Sequence, residues 1–259
     1  MTLDLSFFQI LITATFVAAS AGLLGSFVIL KRMALVGDAL SHVALPGIAL
    51  GLAFHVNPFI GAFSTLLLAI VGIWVLKYET ELPVDTLVGI FFTSSLALGI
   101  LFIPEQELLE ALFGDIEALG AMESLVSILL ATGIIGTLIA IHKKLALSML
   151  SEDLAHAAGI KNRALDFVYL FIFALSIALG IKFVGALLMG ALVIVPAAAA
   201  KNISRSLHGF MLTSVLFGVG SAVGGVFLSE AFALPSGPLF ILASTFLFIV
   251  SLVVRKLQR

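Results

Sequence analysis

Two residues combine metal-binding chemistry, helical spacing and an unusual setting. Asp38 and His42 stand four positions apart in KRMALVGDALSHVALPGIALG, Lys31 to Gly51, inside a run that is otherwise apolar. On a helix this spacing places both on one face, with Cβ atoms about 5–6 Å apart. A carboxylate within an apolar span is costly unless it is paired, hydrated or metal-bound, so it points to function by default. A carboxylate and an imidazole together suit zinc, manganese or iron(II), whereas calcium and magnesium prefer all-oxygen sites. Pro46 cannot donate to the carbonyl four residues before it, that of His42. Gly37 and Gly47 bracket the pair and allow close backbone approach. The alternative is an Asp–His hydrogen bond that fastens two helices.

Other polar residues are lesser candidates. His55, beside Asn57 and Pro58, and Glu230, in LSEAFALPSGP, fall at span ends, where each is either an entrance ligand or a solvated end residue. His142, His156 and His208 read as surface or structural residues. Lys182 opens KFVGALLMGALVIVPAAAAK and reads as a snorkelling lysine. The small residues after it, Gly185, Ala186, Gly190 and Ala191, permit tight helix packing. Cysteine is absent, which excludes disulfides and thiolate sites.

The elements that must position these residues follow from composition. The chain is 61% hydrophobic and 11% charged, against roughly 45–50% and 25% in soluble domains. Its apolar runs are continuous and about 20 residues long, as a membrane-crossing helix requires, rather than short and alternating as in a barrel. Nine spans are expected, at about 6–30, 33–54, 58–76, 84–103, 122–141, 164–181, 183–200, 210–228 and 238–254. The second holds Asp38, His42, Pro46 and Gly47, and a break there would reduce the count to eight. The first run is too long for a signal-peptide core and reads as a retained span. With the N-terminus outside and the C-terminus cytoplasmic, the inside receives Lys31, Arg32, Lys77, Lys143, Lys144, Lys161, Arg163, Lys201, Arg205, Arg255, Lys256 and Arg259, and the outside only Lys182. That bias is what the positive-inside rule demands. The net charge of −2 comes without a basic tract, so nothing points to nucleic acid.

Two loops stand out. The outer one, about 104–121, opens the stretch PEQELLEALFGDIEALGAME, which carries Glu105, Glu107, Glu110, Asp115, Glu117 and Glu123 without a single Lys or Arg. Leu108, Leu109, Leu112 and Phe113 suit a short amphipathic helix on the membrane surface. Such a loop raises local cation concentration or docks a basic partner; a plain solvated loop has the same composition. The inner one, about 142–163, contains SEDLAHAAGI. There Ser151 caps a short helix, Glu152 and Asp153 complement its dipole, and Gly159 ends it. No GxxxxGK[ST] phosphate loop occurs, so the chain does not hydrolyse ATP through that machinery. HExxH and GxSxG are absent too, which argues against an intramembrane hydrolase.

The stretch RMALVGDALSHVALPGIALG resembles the signature of the ABC transporter permeases for zinc, manganese and iron. DTLVGI (85–90), SEDLAHAAGIKNRALDF (151–167) and KFVGALLMGALVIVPAAAAKNISRS (182–206) resemble that family in the same order. The resemblance implies one all-α, polytopic permease domain over 1–259, working as a homodimer in the cell membrane. It implies separate cytoplasmic ATPase subunits and an extracytoplasmic metal-binding protein, with zinc, manganese or iron(II) as cargo rather than a permanent cofactor. It assigns metal passage to Asp38 and His42. Contact with the ATPase falls to Glu152, Asp153, Leu154, Ala155, Ala158 and Gly159. One Asp and one His fall short of a four-ligand site, so a second subunit, water or backbone carbonyls such as that of His42 would complete it. The rival expectation is a self-contained secondary transporter with Asp38–His42 as a proton relay.

Overall fold

The computed structural model describes residues 5–102 and 120–257. Described elements are all helical: α1 (Leu5–Leu30), α2 (Ala34–Val43), α3 (Leu45–Ala53), α4 (Pro58–Glu79), α5 (Val84–Phe102), α6 (Ala121–Leu150), α7 (Glu152–Ala157), α8 (Asn162–Val184), α9 (Met189–Ile203), α10 (Leu207–Phe232) and α11 (Ser236–Leu257). Among the described residues seven helical segments, counting Ala34–Ala53 as one, are long and apolar enough to cross a membrane, and Val84–Gly99 and Met189–Ile203 are shorter apolar helices. The chain is a multi-pass helical membrane protein. The acidic outer loop lies almost wholly outside the described residues, Glu105 to Glu117 included.

Helix ends follow local chemistry. Asn57 caps α4 by accepting from the Phe59 N–H, and Pro58 takes the first helical position. Ser151 accepts from the Leu154 N–H at α7, and Ser206 from the Gly209 N–H at α10. Within the spans, many hydroxyls return to carbonyls of the preceding turn, as Thr13 does to Gln9 and Ser26 to Leu23. They are thereby satisfied without water, as a bilayer requires.

Packing depends on small residues that bring backbones together. α1 runs through the interior against α6, α9 and α10, and α8 is the most enclosed long helix. α4, α6 and α11 leave most of their surface outward. A Cβ on Gly25 would collide with the Val193 carbonyl of α9, and one on Gly22 with the Ser214 carbonyl of α10. Gly47 of α3 and Gly61 of α4 face each other so closely that a Cβ on either would strike the other's carbonyl. This is small-residue packing of spans, in which dispersion and close contact replace a hydrophobic drive.

Gly61→Ala is expected to lower stability by about 1–3 kcal/mol through overpacking, read as an earlier thermal transition in detergent. Gly89→Ala is the control: its Cβ meets nothing within 4 Å, and helix propensity alone predicts a gain of about 0.5–1 kcal/mol.

Candidate functional site

α2 carries both Asp38 and His42, and its packing decides which way they face. The Ser41 hydroxyl is buried and stands 2.7 Å from the carbonyls of both Asp38 and Ala186. Gly190, at the start of α9, lies against the Asp38 backbone: its Cβ would sit 2.9 Å from Asp38 Cβ and 3.0 Å from Asp38 Cα. Gly37 meets the Phe173 ring. Thus α9 and the turn before it, which opens with Gly185 at φ 79°, press one face of α2. The opposite face is open. Leu35 is 83% exposed and Asp38 is exposed as well. His42 is half-buried, with its ring 5.6 Å from that of Phe92 on α5. Its Nδ1 is buried and has no hydrogen-bond partner among the described residues. Nor do the described residues supply a side chain that pairs with the Asp38 carboxylate.

The expected irregularity at Pro46 takes a mild form. α2 ends at Val43 and α3 begins at Leu45, while Ala44 keeps helical angles. The Ala44 N–H turns toward the His42 carbonyl, so that carbonyl is not wholly released. The neighbouring Val43 carbonyl accepts from the buried Ser95 hydroxyl of α5 at 3.1 Å.

The structure does not bring the lesser candidates to this pair. His55 is exposed beyond the far end of α3, at φ 54°. Glu230 is exposed in the last turn of α10, which packs on α1, α9 and α11. His142 and His208 stand beside each other instead, with ring centroids 5.4 Å apart. Lys182 pairs with Glu123 at 2.9 Å. Among the described residues no group of three His, Asp or Glu could hold a metal. One protomer therefore presents an exposed carboxylate and a half-buried imidazole four positions apart on one helix.

The inner loop folds as its caps require. Ser151 starts α7 and Gly159 turns at φ 76° after it. Within this segment Ala155 is buried, while Glu152, Asp153, Leu154, Ala158 and Gly159 are exposed. The Asn162 side chain donates to the Glu152 carbonyl at 3.1 Å, joining α7 to α8.

Sequence reasoning missed a second buried carboxylate. Asp166 of α8 has a side chain only 9% exposed and pairs with Lys31 at 2.9 Å and with Lys77. The Tyr78 hydroxyl donates to it at 3.0 Å. A signal existed, since an acid five residues into a long apolar helix demands a partner. Its partners, however, lie 135 and 89 positions away.

The fold is that of a multi-pass helical membrane protein, with an exposed carboxylate and a half-buried imidazole on one of its packed helices. The profile of the ABC 3 transport family matches residues 5–255, and the chain belongs to that family. It is 35% identical to the high-affinity zinc uptake system membrane protein ZnuB of Haemophilus influenzae, over 96% of this chain and 97% of that one. It is also 35% identical to the manganese import system permease protein ScaB of Streptococcus gordonii, over 99% and 94%. Among solved structures, PsaBC from Streptococcus pneumoniae in complex with Fab matches with a TM-score of 0.84 at 31% identity, covering 99% of this chain and 96% of that one.

Gly190→Ala is expected to push α2 off α9, because the added carbon meets the Asp38 backbone. A loss of about 1–3 kcal/mol follows, measured by thermal unfolding. Ser41→Ala, which leaves the buried Ala186 carbonyl without that donor, is expected to cost about 1–3 kcal/mol in the same assay.

Proposed function

We propose that this chain is the membrane permease subunit of an ATP-driven importer of a divalent transition metal. Zinc and manganese are the first candidate cargoes, iron(II) the next, with Asp38 and His42 as ligands along the path. The observation that carries this reading is the open face of α2. An unpartnered carboxylate on a membrane span is tolerated at an interior surface or a water-filled path, and is costly against lipid. A second copy of this chain covering that face would supply a second Asp–His pair and a four-ligand set, which suits zinc. The zinc and manganese systems named for the relatives support the same cargo.

The proposed topology has nine spans, with the N-terminus outside and the C-terminus cytoplasmic. The seven long helical segments and the two shorter ones supply that number. Side-chain clustering supports the orientation. Lys31 and Lys77 meet on Asp166 at one end of the bundle, with Arg163 over the neighbouring Trp74 and Tyr78 rings. Glu123 and Lys182 meet near Phe59, at the opposite ends of α4 and α8. In this arrangement residues 1–259 form one permease domain. The acidic loop at 104–121 faces the metal-delivery protein. Residues Glu152 to Gly159 face the ATPase. His55 and Glu230 lie on the delivery side, as residues of the entrance.

The cycle is alternating access. A delivery protein releases the ion into the interface, where it would give up water ligands for the Asp38 carboxylate oxygen and the His42 imidazole nitrogen. ATP binding in the partner subunits shifts α7, and the path opens inward. Binding must stay weak enough for release, which fits a small, shared ligand set.

In proteoliposomes holding the permease, its ATPase and its delivery protein, an Asp38→Ala/His42→Ala double variant is expected to take up radioactive zinc or manganese no faster than vesicles lacking ATP. Wild-type uptake by a correctly assembled double variant would sink the assignment. A separate measurement addresses energy supply. The permease alone is expected to show no gradient-driven uptake, and uptake by the permease alone would instead favour a self-contained transporter.

A further inference from the structure

Asp166 lies where three helices and the inner loop meet. Its carboxylate receives Lys31 from the end of α1, and Lys77 and Tyr78 from the end of α4, while Asp166 itself belongs to the first turns of α8. The Lys31 ammonium also lies 4.5 Å from the centre of the Tyr169 ring. One turn before Asp166, the Arg163 guanidinium sits between the Trp74 and Tyr78 rings at 4.8 and 5.0 Å, and the Trp74 indole donates to the Arg163 carbonyl at 2.8 Å. The start of α8 is thus gripped from α1 and α4 together.

Each end of this cluster leads somewhere. Toward the cytoplasm, α8 is joined to α7 by the Asn162–Glu152 bond, and the turn between them is held to α7 by the Ile160 N–H, which donates to the Ala155 carbonyl at 2.9 Å. Toward the site, Lys31 opens the short turn into α2. In that turn the Met33 N–H closes onto the Val28 carbonyl at 2.9 Å, and Arg32 takes a left-handed φ of 59°. This is a helix-ending motif that normally takes glycine, so the turn is tightly specified. Five residues after it comes Asp38. A displacement of α7 therefore has a continuous, short-linked path through α8, Asp166 and Lys31 to the helix that bears the acid–imidazole pair.

We infer that Asp166 is a positioning residue of the transport cycle, joining the inner-loop helix α7 to the α1–α2 turn through Lys31 and to α4 through Lys77. This rests on the permease reading above. A buried ion pair is weak as a source of stability, since well-packed apolar residues often serve as well. What it provides is a directional link. Charge-assisted bonds hold one geometry, and α8 cannot move independently of α1 and α4 while both ammoniums share one carboxylate.

The test measures ATP hydrolysis and zinc or manganese uptake together in proteoliposomes of the full complex. Asp166→Asn keeps the shape and removes the charge. It is expected to hydrolyse ATP at the wild-type basal rate while ions carried per ATP fall at least about tenfold, a size typical of coupling between sites. Asp166→Glu is expected to restore much of that ratio. Lys31→Gln, which leaves Asp166 paired with Lys77 and Tyr78, is expected to uncouple in the same way and serves if the Asn variant does not assemble. An unchanged ratio in Asp166→Asn or Lys31→Gln overturns the inference alone. So does a parallel loss of hydrolysis and uptake in all three variants, which assigns the cluster to assembly. A wild-type complex that carries neither metal overturns the permease reading and this inference with it.

Discussion

A carboxylate in an apolar slab needs a counter-charge, water or a metal, and the architecture of this chain turns on how two carboxylates meet that need. Asp166 is answered from within. Two lysines and a tyrosine from distant helices close on it, and the ends of α1 and α4 are thereby fixed to the start of α8. Asp38 is not answered by any described side chain. Ser41, Gly190 and Phe173 hold its helix firmly while its own face stays open. A satisfied acid makes a joint, and an unsatisfied one makes a demand on something outside the protomer. The proposed dimer interface and the proposed cargo are two parts of one answer to that demand.

Much of the bundle keeps its polar groups quiet. Many serines and threonines bond to carbonyls one turn back, although the buried hydroxyls of Tyr169, Ser204 and Ser214 have no partner among the described residues. The hinge between α2 and α3 is handled similarly, since Ser95 reaches across from α5 to the Val43 carbonyl. His42 Nδ1 is likewise buried and unpartnered, and it is the one such atom on the helix that bears Asp38. Metal-ligating histidines use one ring nitrogen for the ion and commonly fix the other by a hydrogen bond. Here neither role is yet filled for Nδ1 within one described protomer.

Much of this was legible in the sequence, and the limit has a physical origin. Helical spans follow from apolar run length, which is a local property. The shared face of Asp38 and His42 follows from helical period, and α7 from the Ser151 cap and Gly159. What could not be read was the meeting of residues far apart in the chain. The pairing of Asp166 with Lys31 and Lys77, and the seat of Asp38 on Gly190, depend on how whole helices are arranged. Lys182 illustrates the same limit: its apolar neighbours predict a snorkelling lysine, while the fold supplies Glu123. The Pro46 break was also only partly legible. The sequence marks the place, but the small size of the break depends on Ala44 staying helical and on a serine from α5.

The crossing of α3 and α4 has a consequence for how this sequence can drift over evolutionary time. Gly47 and Gly61 are each blocked by the other's main-chain carbonyl, and Gly47 by the Thr65 hydroxyl as well, an obstacle that a smaller residue at 65 would remove without freeing the carbonyl. When two side chains collide, a smaller neighbour can make room for a larger one, and paired replacements can wander through many combinations. No replacement at position 61 can shorten its own backbone, so enlargement at 47 has no partner mutation that excuses it, and the reverse holds equally. These two positions should therefore stand still singly rather than change together, and they would leave no covariation signal although they form one of the tightest contacts in the bundle.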